Sequence, residues 1–151
     1  MMKYMLLFLS FCFVGCKTYQ ANELPDKQII WGSGGGFTGV VNQYILLENG
    51  QLFFEDGLKN TTLACNKQSK KAAKLFFSKC DSLGVADMKM NQPGNLYYFV
   101  KYKTAEGENQ LTWGAMDAKV DESVKSLYDE LQSMAIASKI IEKNKSETAV
   151  Q

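Results

Sequence analysis

The sequence predicts an α+β fold, an antiparallel sheet of about five strands with two helices on one face. Two hairpin signals point to the sheet: Asn49-Gly50 between two β-rich runs, and residues 105–108 between an aromatic run and a second short strand. The spacing of apolar residues changes to a helical period twice, once after each group of strands. The resulting order βββ-α-ββ-α indicates helices that bury their apolar stripes on one face of the sheet.

The first group of strands comprises residues 28–33 (QIIWGS), 40–48 (VVNQYILLE) and 51–55 (QLFFE). These runs are rich in β-branched and aromatic side chains, which pack well on a pleated surface. Asn49-Gly50 favours a type I′ turn, because that turn needs a positive φ at both central positions. We therefore predict a tight hairpin between the second and third strands.

A helix is predicted over residues 69–83, with Gly84 as its C-cap. Its apolar positions recur at helical spacing: Ala72, Ala73, Phe76, Phe77, Cys80 and Leu83. Four lysines surround this stripe, which is more typical of a solvated helix face than of a basic patch for an acidic partner.

The second group of strands comprises residues 96–103 (LYYFVKYK) and 109–113 (NQLTW), after a turn at residues 91–95 (NQPGN). A final helix is predicted from about residue 118, with an apolar stripe formed by Val120, Val124, Leu127, Leu131 and Met134. A single domain is therefore predicted over residues 28–142, followed by a polar tail at 143–151.

Composition limits the possible functions. The 151 residues carry 17 basic and 16 acidic side chains, and this balance argues against nucleic acid as a partner. Histidine is absent, which excludes Ser-His-Asp and Cys-His catalysis and histidine-containing zinc sites within this chain. Since no metal motif, nucleophile elbow or phosphate loop is present either, we predict a protein that is not an enzyme and needs no cofactor.

Residues 1–15 have the features of a lipoprotein signal peptide. Lys3 gives a basic start, and residues 6–14 (LLFLSFCFV) form an apolar run that is too short to span a membrane, which takes about 20 residues. The run ends in FVGC, which resembles a bacterial lipobox and predicts lipid attachment at Cys16. An ordinary cleaved signal peptide is the alternative. The lipobox places the protein in the bacterial cell envelope, lipid-anchored at the outer membrane.

Residues 16–27 follow as the lipidated cysteine and a polar segment. Residues 17–27 (KTYQANELPDK) carry Pro25 and show no apolar period. We therefore expect a tether that lifts the domain off the lipid surface.

Two further cysteines, Cys65 and Cys80, raise the question of a disulfide in an exported chain. A helix over residues 69–83 would be about 22 Å long, whereas a disulfide needs Cα atoms within about 7 Å. Cys65 precedes this helix and Cys80 lies near its end. We expect two buried thiols and no disulfide, although a loop returning along the helix would allow one.

The stretch WGSGGGFTG contains the G-x-G-x-x-G spacing of a dinucleotide-binding loop, at Gly34, Gly36 and Gly39. That loop needs a helix after it, because the helix N-terminus holds the pyrophosphate. Here a strand follows, so we predict no nucleotide site, but a turn or bulge between adjacent strands. Either it only connects the strands, or its exposed backbone binds a partner. The candidate partner-binding residues are Gly34, Gly35, Gly36, Phe37, Thr38 and Gly39.

The segment Gly35-Gly36-Phe37-Thr38-Gly39 resembles the glycine signature of the emfourin-like proteins, small protein inhibitors of thermolysin-like metalloproteases. The aromatic strand at residues 97–100 and the leucines Leu127 and Leu131 of the last helix are similar too, and the pattern extends roughly over residues 29–134. The resemblance implies a protease as the partner. The PGN, YYF and WG elements also resemble those of small lipoproteins of Bacteroidota, which implies location but no activity.

Together these observations predict an exported, lipid-anchored, non-catalytic binding module. Its partners would be the membrane, through the N-terminal lipid, and an unidentified protein, which the resemblance specifies as a protease. A structural or assembly lipoprotein of the envelope, docking through its helix faces, is the alternative.

Overall fold

A computed structural model of the chain describes residues 17–148, with side-chain detail through residue 138. The predicted signal peptide (1–15), Cys16 and the end of the polar tail (149–151) lie outside the described residues. Within the described part, no helix is both long enough and apolar enough to cross a membrane.

Seven strands form one sheet in the order β4-β3-β2-β1-β6-β7-β5. They are β1 (Gln28–Gly35), β2 (Asn42–Leu47), β3 (Leu52–Asp56), β4 (Thr61–Ala64), β5 (Asn91–Gln92), β6 (Leu96–Thr104) and β7 (Gly107–Trp113). The helices are α1 (Lys70–Leu83), between β4 and β5, and α2 (Glu122–Thr148), after β7. Neighbouring strands are antiparallel, except that β5 runs parallel to β7.

The α+β class and the two helices are confirmed, but the predicted sheet of five antiparallel strands is too small and misses the parallel pair. The strand β4 has four exposed residues and no apolar alternation, so its sequence carries no strand signal. The strand β5 is only two residues long and lies inside the predicted turn at 91–95. It becomes a strand only by pairing with Thr112 and Trp113, far along the chain.

Both helices pack against the same face of the sheet. On this face β1 contributes Ile29 and Trp31, and the register places Leu46 and Tyr102 on either side of Ile29. The helices add Ala73, Phe76, Phe77 and Cys80 from α1 and Val124, Leu127, Tyr128, Leu131 and Ala135 from α2. The predicted apolar stripes therefore form one core with the central strands.

Local signals explain the bounds of α1. The side chain of Ser69 accepts a hydrogen bond from the backbone N–H of Ala72, and Gly84 ends the helix in the left-handed conformation. The backbone of α2 continues to Thr148, into the segment that we expect as a polar tail. Ser138 ties this helix to the β4–α1 connection, because its hydroxyl donates to the carbonyl of Asn66 over 3.0 Å.

A second apolar cluster covers the other face of the sheet. It contains Ile30, Ile45, Leu47, Phe53 and Phe99, all buried. Tyr19 and Leu24 pack against it. The described residues of the expected tether, 17–27, therefore include side chains that complete this face of the domain, instead of forming a detached polar segment.

The structure shows Cys65 and Cys80 as two thiols. Cys80, a residue of α1, is fully buried in the core as expected, whereas the expected burial of Cys65 is only partial. Burial, and the neighbouring Asp81 to a lesser extent, raise the pKa of the Cys80 thiol to about 12. Cys80 is therefore a protonated core residue at neutral pH.

Candidate partner-binding surface

Five large apolar side chains are exposed at one end of the sheet, where β1, β3 and β7 end and β2 and β6 begin. They are Phe37, Leu58, Leu96, Tyr98 and Met116. We call this surface the glycine-loop end, defined by residues 34–39 together with the other four side chains. Phe37 and Met116 show relative exposures of 108% and 107%, so nothing in the described chain shields them.

The predicted glycine residues divide between a strand and a turn. Gly34 and Gly35 belong to β1 and pair with Tyr97 and Leu96 of β6. The turn starts at Gly36, whose N–H donates a 2.7 Å hydrogen bond to the carbonyl of Asn95. Because β2 follows this turn as an antiparallel neighbour, the glycines connect strand to strand, without the helix that a dinucleotide loop requires.

Phe37 and Thr38 occupy the outer part of this turn. The hydroxyl of Thr38 accepts a long hydrogen bond, 3.4 Å, from the N–H of Val40, and the N–H of Gly39 donates to the carbonyl of Gly36 over 3.3 Å. These bonds hold the turn closed while the Phe37 ring projects from it. Of the six predicted residues, Phe37 is therefore the one with a large apolar surface available to a partner.

The β3–β4 turn is fixed beside the glycine turn and presents Leu58. One oxygen of the Asp56 carboxylate accepts hydrogen bonds from the N–H groups of Leu58 (3.0 Å) and Lys59 (3.1 Å). The side-chain oxygen of Asn42, at the start of β2, accepts another from the N–H of Gly57 over 3.1 Å. Local hydrogen bonds of this kind rigidify a short turn, so Leu58 is exposed on an ordered loop.

On the side of β6 and β7, the glycine-loop end is held in place by contacts with β5 and with the core. The loop that carries Met116 is held by Gln92, whose backbone carbonyl accepts from Ala115 N–H and whose side-chain oxygen accepts from Lys119 N–H, each over 3.0 Å. Tyr98 lies partly exposed above the Tyr128 ring, edge to face, with ring centroids 5.7 Å apart. The aromatic layer therefore continues from this surface into the core.

Tyr128 supports this layer as a neutral phenol. Its hydroxyl donates to the carbonyl of Gly32 over 3.4 Å. Burial is the main cause that raises its pKa to about 12, followed by the nearby Tyr98, Asp129 and Tyr44. A phenol with this pKa is protonated at neutral pH, so Tyr128 can donate its hydrogen bond to Gly32.

A shallow cleft of about 680 Å³ lies between the glycine turn, the β3–β4 turn and the start of β6. Its lining combines backbone at Gly34 and Gly35, apolar surface at Leu58 and Leu96, and the hydroxyls of Thr38 and Tyr98. An ion pair at its border, Lys59–Asp56 at 3.8 Å, belongs to the β3–β4 turn. A mixed lining of this kind suits the side chain of a protein partner better than a highly charged ligand.

Titratable side chains could contribute to this surface as metal ligands or as groups with a shifted pKa. Among residues 17–138, no group of three or more Asp, Glu or Cys side chains could hold a metal ion. The pKa is raised, by burial first, for Tyr44, Cys80, Tyr102 and Tyr128. None of these four residues lines the cleft.

Sequence reasoning identified the glycine turn and Phe37 but missed Leu58, Leu96, Tyr98 and Met116. An apolar residue inside a turn sequence, as in DGLKN, is a signal for Leu58, since turn residues are otherwise polar. The other three depend on which elements meet at this end of the sheet.

No known family model matches this sequence, and no curated protein matches it either.

Proposed function

We propose that the protein is a non-catalytic binding module of the bacterial cell envelope, anchored by lipid at Cys16, that binds a protein partner through the glycine-loop end. The observation that carries this proposal is the group of five large apolar side chains exposed at the same end of the sheet, three of them (Phe37, Leu58 and Met116) on loops held by hydrogen bonds. Exposed apolar patches on otherwise polar surfaces mark protein interaction sites.

The rigidity of these loops favours binding. Each mobile side chain or loop that must be ordered on association costs about 0.5–1.5 kcal/mol. Here the backbone N–H of Gly36 is hydrogen-bonded to the Asn95 carbonyl, and that of Leu58 to the Asp56 carboxylate. Met116 directly follows Ala115, whose N–H is hydrogen-bonded to the Gln92 carbonyl. A partner would therefore gain the burial of these apolar groups at a small entropic cost.

The specific form of the proposal is inhibition of a thermolysin-like metalloprotease. It rests on the resemblance of Gly35-Gly36-Phe37-Thr38-Gly39 to the emfourin-like signature. The geometry is compatible with this role, because Phe37 stands at the tip of a closed turn and is fully exposed. A projecting aromatic residue on a rigid turn suits insertion into a concave site.

Inhibition can be measured with the soluble chain from Lys17 onward, which retains both apolar clusters of the described domain. We expect stoichiometric loss of protease activity on a peptide substrate. Phe37→Ala should weaken the inhibition by about 2 kcal/mol or more, roughly 30-fold, as expected for a central aromatic contact. Leu75→Ala is the matched control, since Leu75 is an exposed apolar residue on α1, outside the glycine-loop end.

Full protease activity in the presence of excess folded protein would contradict the inhibitor form of the proposal. Equal weakening by Phe37→Ala and Leu75→Ala would contradict the placement of the binding surface. Circular dichroism of each variant shows whether it is folded, and neither substitution removes a buried side chain.

A structural or assembly role is the second candidate, and one observation favours it. A groove of about 630 Å³ lies between α1 and α2, and Leu75 lines it while Ile136 is exposed farther along α2. Photo-crosslinkers placed at Phe37 or at Leu75 of the membrane-anchored protein separate the two roles. Crosslinks to an envelope complex from Leu75, with none from Phe37, would favour assembly.

A further inference from the structure

The segment directly after the predicted lipid anchor is bound to the folded domain. Gln51 holds the backbone of Tyr19 from both sides: its side-chain oxygen accepts from Tyr19 N–H over 2.8 Å, and its side-chain nitrogen donates to the Tyr19 carbonyl over 2.9 Å. Asn49 adds a third contact, because its side-chain nitrogen donates to the carbonyl of Lys17 over 2.8 Å. This reciprocal pairing of an amide side chain with a peptide group fixes the position of the backbone.

Apolar contacts and a turn complete the attachment. Tyr19 and Leu24 pack against the second apolar cluster of the sheet, and the Lys17 ammonium lies 5.2 Å from the centre of the Tyr19 ring. The N–H of Glu23 donates to the carbonyl of Gln20 over 3.0 Å, which turns the chain back toward β1. The segment of residues 17–24 is therefore docked on the domain.

Docking changes the distance between lipid and domain. As a flexible chain, residues 17–27 would have a root-mean-square end-to-end distance of about 18 Å. With Lys17 held against Asn49, a single peptide link separates Cys16 from the domain, and consecutive Cα atoms lie only about 4 Å apart. A lipid on Cys16 would thus be attached at a defined point of the domain surface.

That point lies at the end of the sheet opposite the glycine-loop end. We call it the hairpin end, defined by the β2–β3 turn (residues 48–51) and the β6–β7 turn (residues 105–106). The strand β1, eight residues long, begins near these turns and ends at Gly35, which corresponds to about 26 Å at 3.3 Å per residue. The anchor and the exposed Phe37 are therefore separated by the length of the sheet.

We propose that the docked segment of residues 17–24 orients the domain on the membrane, so that the hairpin end faces the lipid headgroups and the glycine-loop end points away from them. This inference rests on the lipid anchor of the proposed function, but not on the identity or the existence of a partner protein. It assigns Gln51 and Asn49 a positioning role: they fix the direction in which the binding surface is presented.

The orientation can be measured by energy transfer to the bilayer. Full-length lipidated protein in phosphatidylethanolamine–phosphatidylglycerol vesicles would carry a dye at Glu106→Cys, in the hairpin end, or at Leu58→Cys, in the glycine-loop end. Both variants also carry Cys65→Ser, and Cys80 is fully buried. With an acceptor on the lipid headgroups, we expect stronger quenching of the dye at position 106 than at position 58.

Gln51→Ala tests whether docking causes this difference. It removes both hydrogen bonds to Tyr19, so the difference between the two dye positions should be lost. Gln110→Ala is the matched control, because Gln110 is a glutamine of the same sheet whose side chain bonds Thr112 at 3.1 Å. In this variant the difference should be retained.

Equal quenching at positions 106 and 58 of the lipidated protein, or stronger quenching at position 58, would overturn the orientation. An unchanged difference in Gln51→Ala would overturn the role of the docked segment in causing it. Fatty-acid content of the same preparation is measured in parallel, and a protein without lipid overturns the anchor together with the orientation. Loss of partner binding in Phe37→Ala leaves these measurements unaffected, so a failure of partner binding can be distinguished from a failure of the orientation.

Discussion

Gly35 lies so close to the carbonyl oxygen of Asn95 that a Cβ atom at this position would come within 2.1 Å of it. The same oxygen accepts the 2.7 Å hydrogen bond from Gly36, and Gly35 adopts a φ of 92°, which L side chains rarely adopt. Two separate constraints therefore require glycine at this position. The close approach fixes the beginning of the glycine turn to the segment before β6.

Gly35→Ala should destabilise the fold far more than Gly39→Ala. Gly39 also has a positive φ, 62°, but no atom lies within 4 Å of its Cβ position. We expect Gly39→Ala to cost about 1 kcal/mol from backbone strain alone. Gly35→Ala adds the clash with Asn95 and should cost about 3 kcal/mol. Urea unfolding followed by circular dichroism measures both, and equal costs would show that the close approach is not needed.

Tyr102→Phe should lower the free energy of unfolding by about 1–2 kcal/mol. The buried hydroxyl of Tyr102, on β6, donates a 2.7 Å hydrogen bond to the Asp81 carboxylate of α1, and this bond joins the helix to the sheet. Tyr98→Phe, in the same strand but half-exposed, is the control and should change stability by less than about 0.5 kcal/mol. Comparable losses in the two variants would show that the bond to Asp81 contributes little.

Stability should fall at alkaline pH. The ordinary pKa values of cysteine and tyrosine here are 9.0 and 10.0, whereas burial raises those of Cys80 and Tyr128 to about 12 in the folded protein. Above pH 9 the unfolded chain therefore loses protons that the folded chain retains, and ionisation stabilises the unfolded state. The contribution of these two buried groups to the stability of the folded state is therefore fully present below pH 9 and is lost as the pH rises through 12.

Urea midpoints between pH 7 and pH 11 measure this loss. Cys80→Ala should flatten the first part of the curve, because cysteine has the lower ordinary pKa. The same variant should also be less stable at pH 7 by about 1 kcal/mol or more, since it leaves a small cavity. A curve that stays flat up to pH 11 would contradict the burial of both groups.

Elements with a local signal could be predicted from the sequence. The expected helix at residues 69–83 agrees with α1 at Lys70–Leu83, because Ser69 and Gly84 mark its ends through their own hydrogen bonds. The hairpin around Asn49-Gly50 is present, and the register pairs Leu46 with Leu52. The predicted type I′ turn is wrong, however, because Gly50 has a φ of 90° whereas Asn49 is not among the described residues with a positive φ. In both cases residues close in the chain determine the structure.

Features that depend on distant residues could not be predicted. The strand β5 exists because Asn91 pairs with Thr112, and residues 17–24 are docked because Gln51 bonds Tyr19. The composition of 17–27 is polar, so it indicates a tether, whereas two apolar side chains decide its placement. The glycine-loop end follows the same rule: Phe37 stands out in its turn, but Met116 joins it only through the topology of the sheet.

Cys80 should resist thiol reagents until the protein unfolds. Its side chain is fully buried among α1, β6 and the core, and its raised pKa keeps it in the unreactive thiol form. In the soluble chain from Lys17 carrying Cys65→Ser, Cys80 is the remaining cysteine. We expect no labelling by a disulfide reagent in buffer and one thiol per chain in denaturant. Rapid labelling in buffer would contradict the burial of α1 against the sheet.

Cys16 should carry lipid in cells. The apolar run at residues 6–14 ends in Gly15-Cys16, and a small residue before cysteine is what a bacterial lipobox provides. A diacylated anchor binds membranes stably where one acyl chain is marginal, because each buried CH₂ contributes about 0.8 kcal/mol. We therefore expect a clickable fatty-acid analogue to label the wild-type protein and not Cys16→Ala, which should also be lost from the membrane fraction.

Cys12→Ala, four residues earlier in the signal peptide, is the matched control and should be labelled like the wild type. Equal labelling of the wild type and Cys16→Ala would place the lipid elsewhere, and a secreted, unlabelled wild type would identify an ordinary signal peptide.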